Sequence, residues 1–135
     1  MNILLSLHGT DYYLARSSKD YGRVGDYLRA NKAGVKSLSY PTVFAQRRGE
    51  IIGTVSTRPN KKRGIIAGPM HCTKGGFTVM RLTQIYDGVL KHAGIRHYFV
   101  HIKNSTGHLQ RIVEKLPYVL HHATDTSKWY KRTLQ

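Results

Sequence analysis

Gly64-Ile65-Ile66-Ala67-Gly68-Pro69-Met70-His71, then Cys72-Thr73-Lys74-Gly75-Gly76, then Phe77-Thr78-Val79-Met80-Arg81-Leu82 reads as an apolar strand, a glycine-bearing loop and the opening of a helix. A strand that delivers small residues onto a helix N-terminus builds an anion site. The first N–H groups there have no intrahelical partner, and the helix dipole favours negative charge. The helix itself is well marked, from Phe77 to Ala93. Val79, Leu82, Tyr86, Val89 and Ala93 form one stripe, Met80, Ile85 and Leu90 widen it, and Gly94 stops it.

Upstream, Met1 to Leu7 is a short apolar run without a basic start and reads as an opening strand rather than a signal peptide. Tyr12 to Arg16 is strand-like. Ser17 or Ser18 can cap a helix that carries Asp20 in its first turn and Tyr21, Val24, Tyr27, Leu28 and Asn31 at helical spacing, ending at Ala33-Gly34. Thr42 to Gln46 and Ile51 to Thr57 read as two strands joined by a turn at Arg47-Arg48-Gly49-Glu50. Arg58 to Arg63 reads as a basic loop, because proline and charge exclude it from a sheet centre. Downstream, Arg96 to Lys103 is rich in β-formers. Asn104, Ser105 and Thr106 offer caps for a helix through Leu109, Ile112, Val113 and Leu116, which Pro117 ends. Tyr118 to Ala123 and Trp129 to Leu134 read as further strands. The rhythm predicts an α/β (α+β) domain: a single mixed sheet of about six to seven strands with helices on both faces.

The chain has 135 residues, enough for one domain spanning 1–135. Its 22 Lys and Arg against 7 Asp and Glu give a formal charge of +15, which attracts nucleic acid or another polyanion in a salt-dependent way. One cysteine, Cys72, excludes an intrachain disulfide and fits the cytoplasm. No apolar run reaches the roughly 20 residues of a membrane helix, so no membrane partner is expected. The eight histidines and one cysteine show no zinc spacing, so no metal is expected.

This order of elements, over about residues 12 to 123, resembles the GNAT superfamily of acyl-CoA-dependent N-acetyltransferases, as a divergent member. Lys74-Gly75-Gly76-Phe77-Thr78-Val79-Met80-Arg81-Leu82 stands where the family's pyrophosphate-binding loop opens a helix. Phe77 and Val79 fall where the second and third small residues of that loop are expected. Asn104 and the run Glu114-Lys115-Leu116-Pro117-Tyr118 resemble the family's late strand end and helix end, and Val113 stands where many members carry an acidic tyrosine. The resemblance implies an acetyl-CoA or related acyl-CoA cofactor. It further implies that Met70, Cys72, Thr73, Lys74, Gly75, Gly76, Phe77, Thr78 and Asn104 hold that cofactor. It also implies acyl transfer to an amine. With the charge, the acceptor expected is anionic or nucleic-acid-associated. Two alternatives stand beside this: a DNA-modification protein acting on bases in the manner of the phage Mom proteins, and a non-catalytic module of the same fold that binds nucleic acid or a protein.

Acyl transfer needs a base for the amine. His71 ends the strand that leads to the loop, and imidazole titrates near neutrality. His101 and His108 are rivals, as is a water held by backbone. Cys72 could carry an acyl group, but it neighbours His71 on a strand and points the other way. Arg47, Arg48, Arg58, Lys61, Lys62 and Arg63 flank one hairpin and are expected to form a basic rim around an acceptor entrance. Aromatics interleaved with these cations can stack bases.

Overall fold

The structure, a computed structural model, describes residues 3–33, 38–62, 64–73, 75–103 and 113–134. Strands β1 (Ile3–Leu7) and β2 (Thr10–Leu14) form a hairpin, helix α1 (Ser18–Ala30) follows, and β3 (Ser39–Arg47), β4 (Glu50–Asn60) and β5 (Gly64–Cys72) form a meander. Helix α2 (Gly75–His92) then leads to β6 (His97–Lys103), β7 (Val119–Ala123) and β8 (Ser127–Thr133). All eight strands make one sheet in the order β1-β2-β3-β4-β5-β6-β8-β7. The count exceeds the expected six to seven because every strand-like segment joins the one sheet, Ile3–Leu7 and Thr10–Leu14 as a hairpin turned by His8 and Gly9, both at positive φ. The same two-residue turn recurs at Arg48 (φ 52°) and Gly49 (φ 80°), where glycine meets the left-handed backbone that the turn requires.

Each face of the sheet carries one of these helices, and side-chain alternation along the strands sorts the core between them. Tyr12, Leu14, Val43, Ala45, Val100 and Ile102 pack with Leu82, Tyr86 and Leu90 of α2. Tyr13, Ala15 and Phe44 pack with Val24 and Leu28 of α1. Helix α1 starts with a reciprocal cap. Ser17 Oγ accepts from the Asp20 N–H (3.2 Å), and Asp20 Oδ2 accepts from the Arg16 N–H (3.0 Å). No described helix is long and apolar enough to cross a membrane.

Three boundaries differ from the sequence reading. Helix α2 begins at Gly75, so Gly75 and Gly76 form its first turn rather than a loop. Arg58, Pro59 and Asn60 belong to β4. Their partners lie on β5 alone, while β4 meets β3 only as far as Thr57 opposite Ser39. Proline is tolerated there because no described strand pairs with the other edge of β4 at that point. The helix expected after Asn104 falls mostly on residues outside those described. Its described end, Val113, is fully buried in the α2-side core.

Candidate active site

Every neighbouring strand pair is antiparallel except β5 and β6, which are parallel and joined through α2. Their pairing consists of Ile66 with Phe99 and Ala67 with Val100. Beyond Ala67, β5 still pairs with β4 through Met70, His71 and Cys72. Between the pairs Val55–Met70 and Thr57–Ala67, β4 advances two residues and β5 three. That extra residue is a bulge at Gly68-Pro69, and Gly68 sits at φ 154°. The bulge re-aims the end of β5, and the strands part. The C-terminal end of β5 thus has an extended edge turned toward the gap and the N-terminus of α2 just beyond it.

Alternation settles what each side chain of this end does. Met70 and Cys72 point to the α2 side and pack against its core. His71 points to the α1 side, where its Nδ1 lies 2.8 Å from the Tyr27 hydroxyl. Tyr27 is also 2.7 Å from Thr73 Oγ1, and its ring meets the imidazole edge-on. Burial pushes the Tyr27 phenol upward, so it stays protonated and can hold both partners near neutral pH. Helical spacing alone places Tyr27 on the apolar stripe of α1. Its stripe with Val24 and Leu28 marks the sheet-facing side of α1, but 44 residues separate it from His71 and no spacing reveals the pair.

Burial pushes the Cys72 thiol up to about 12. At neutral pH it is a thiol and not a nucleophile, which removes it as an acyl carrier. It fills the space opposite Gly53: a Cβ there would lie 2.6 Å from Cys72 Sγ and 2.9 Å from Leu82 Cδ1. Thr73 donates its N–H to Ile52 O (2.8 Å), and its hydroxyl is engaged by Tyr27. Thr78 is buried. Phe77 is 56% exposed with Arg81 over its ring, and Val79 lies in the core. What the expected cofactor segment offers is therefore main chain: the edge of β5 beyond Ala67, where its pairing with β6 has ended, and the first N–H groups of α2. Lys74, Asn104 and His108 lie outside the described residues. His101 stacks on Trp129 with ring centroids 4.2 Å apart.

The expected basic rim is divided. Arg47 and Arg48 sit at the turn between β3 and β4, at the same end of the sheet as His71. Arg47 donates to the buried Thr10 hydroxyl (3.1 and 2.8 Å), while Arg48 lies exposed at the turn. Arg23 of α1 clamps this turn by donating to Gln46 Oε1 (2.6 Å) and Gly49 O (3.4 Å). Arg58, Lys61 and Lys62 sit at the opposite end, where β4 turns into β5. Gly64 and His71 are seven residues apart on β5, about 23 Å at strand rise. The two groups cannot surround one entrance. Arg63 lies outside the described residues.

No family model matches the sequence, and no curated protein is significantly similar to it. Solved structures do match. A probable acetyltransferase from Staphylococcus epidermidis superposes with a TM-score of 0.75 at 9% identity, covering 93% of this chain and 99% of its own. A putative acetyltransferase from Salmonella typhimurium, solved with its cofactor acetyl-CoA, gives 0.71 at 10% identity, covering 95% of both chains. A Salmonella typhimurium acetyl transferase that modifies the N-terminal serine of a 50S ribosomal subunit protein gives 0.74 at 9% identity, covering 99% of this chain and 100% of its own. The parted parallel pair, the helix crossing between its strands and these superpositions agree: this chain has the GNAT fold of the N-acetyltransferases.

Proposed function

We propose that the chain is an acyl-CoA-dependent N-acyltransferase acting on an amine of an anionic or nucleic-acid-associated acceptor. The observation that carries this is the parting of β5 and β6, whose pairing ends at Ala67 and Val100, with the N-terminus of α2 at the mouth of the gap. The residues present fit such a cofactor. The edge of Met70–Cys72 can pair with an extended amide-bearing chain as a neighbouring strand would. The first-turn N–H groups from Gly75 to Thr78 suit phosphate. An acyl-CoA held there supplies an activated carbonyl. His71, on the neighbouring face of the same strand end, takes up the proton of the acceptor amine, and Tyr27 fixes the imidazole through Nδ1. The acceptor class rests on the charge of +15.

A non-catalytic module of this fold is the second reading, favoured by the buried Val113 where the family's tyrosine would stand. Calorimetry separates them. Acetyl-CoA should bind the wild type and fail to bind a Gly75→Glu, Gly76→Glu variant, whose carboxylates sit at the helix opening. Equal affinity for both refutes this placement of the phosphates, and no binding by folded wild type favours the non-catalytic module.

A further inference from the structure

Cations lie at both ends of the sheet, but at the His71 end Arg23, Arg47, Arg48, Arg81 and Lys128 share it with the exposed Glu50 and Asp125. The end opposite His71 collects the turn from β4 to β5, the last turn of α2, the start of β6 and the exit of β2. Arg16, Arg58, Lys61, Lys62, Lys91 and Arg96 all fall there, Arg58 half-buried and the others exposed. The described carboxylates are placed otherwise. Glu50, first in β4, and Asp125, on the bend between β7 and β8, are exposed at the His71 end, and Asp11, accepting from Ser6, follows Thr10 in β2 there. At the cationic end, Asp20 is buried and accepts from the Arg16 backbone, and the partly buried Asp87 is paired with Arg132. Asp26 pairs with Arg29 on α1, and Glu114 accepts from Tyr130.

We infer that this cationic end is a docking surface for a nucleic-acid phosphodiester backbone, separate from the transfer site. From the exit of β2 to the start of β6 it spans four strand spacings, about 19 Å. That is about six steps of a nucleic-acid strand at 3.4 Å each, enough for several phosphates to be met at once. Tyr40, 61% exposed, opens β3 at the same end and offers a ring against which a base can stack. Multiple phosphates on a rigid spacing suit this row of cations better than a single charge does, and the aromatic selects nucleic acid over other polyanions. The inference stands independently of acyl transfer. It implies that bound nucleic acid sits about 20 Å or more from His71 and is not itself held in the gap.

The test is fluorescence anisotropy with a labelled 20-nucleotide probe, single-stranded and as a duplex, across a salt series and without acyl-CoA. Arg58→Ser, Lys61→Ser and Lys62→Ser together should flatten the log–log salt slope by about two units, at roughly 0.7 to 0.9 per lost contact. Lys91→Ser with Arg96→Ser, on different elements of the same end, should flatten it by about one to two units. A charge-matched control at the other end, Arg48→Ser, Arg81→Ser and Lys128→Ser, should leave the slope close to that of the wild type. Equal flattening by the control means that net charge alone is at work and overturns the proposal. So does absence of probe binding by the wild type, or binding confined to phosphatidylserine-containing vesicles in a flotation assay run alongside.

Discussion

His71 and Tyr27 show how one strand position acquires a role through a partner far away in sequence. A strand fixes only which way His71 points, and α1 supplies the hydroxyl that fixes its ring. The sequence identifies His71 by its place at a strand end, and it places Cys72 on the opposite face, as found. Nothing in it forecasts Tyr27, because contact between α1 and the end of β5 depends on how the helix crosses the sheet. On the proposed function, His71→Gln should reduce turnover by about 10²-fold or more and leave acetyl-CoA affinity nearly unchanged, since the cofactor contacts proposed are main-chain ones. Tyr27→Phe should reduce turnover less, because it frees the ring without removing the base. A steady-state assay with an identified amine, paired with calorimetry for the cofactor, reads both. Full turnover in His71→Gln transfers the proton to another group.

Helix α1 and the meander show where local rules succeed and where they stop. The sequence leaves Ser17 and Ser18 as alternative caps, and the structure selects Ser17, whose hydroxyl accepts from Asp20 while Asp20 answers Arg16. Ser17→Ala should lower unfolding free energy by about 1 kcal/mol, whereas Ser18→Ala, inside the helix, should change it by only a few tenths. Urea denaturation of the two variants checks this, and equal effects would contradict the assignment. The stripe of α2 and the hairpin turn at Arg48-Gly49 were both legible, since they depend on neighbours within a few residues. The start of α2 was not: paired glycines suggest a loop, but in a first helical turn the packing of the later stripe outweighs their poor propensity. The basic rim failed for a topological reason. Successive turns of an antiparallel meander fall at alternate ends of the sheet, so the two charged connections flanking β4 are separated by the length of that strand. An eleven-residue β4 holds them apart, and the sequence shows the adjacency but not the separation.

Across the domain, the α2-side core closes over a polar network that joins α2, β6, β8 and the segment before β7. Tyr98 donates to Asp87 Oδ1, its hydroxyl meets that of Tyr118 (2.7 Å), and Arg132 Nε donates to Asp87 Oδ2 (3.1 Å). Burial raises the Asp87 carboxyl above its ordinary range, opposed by its bonds to Tyr98 and Arg132. Burial also pushes both tyrosines upward, so neither titrates as the carboxyl does. A carboxyl with a raised folded pKa favours the native state most when it is protonated. Its contribution is complete below the unfolded value, about 3.9, and declines as pH rises through the folded value. Arg132 limits that decline. In Arg132→Met the carboxylate loses its counter-charge, the folded pKa moves further up, and the decline continues to higher pH. The variant should therefore resemble the wild type near pH 3 to 4 and fall behind as pH rises. By pH 7 the deficit should reach about 2 kcal/mol, below the 3 to 5 typical of a fully buried pair. The discount follows from exposure, since 24% of the Arg132 side chain and 15% of that of Asp87 reach solvent. Urea denaturation of both proteins at pH 4 and pH 7 reads the difference, and an equal deficit at the two pH values would assign Arg132 a packing role without charge. The network also bears on the gap. It anchors β6 through Tyr98 to α2 and β8 at the cationic end, while β5 stays fixed to β4, so the two strands are held independently where they part.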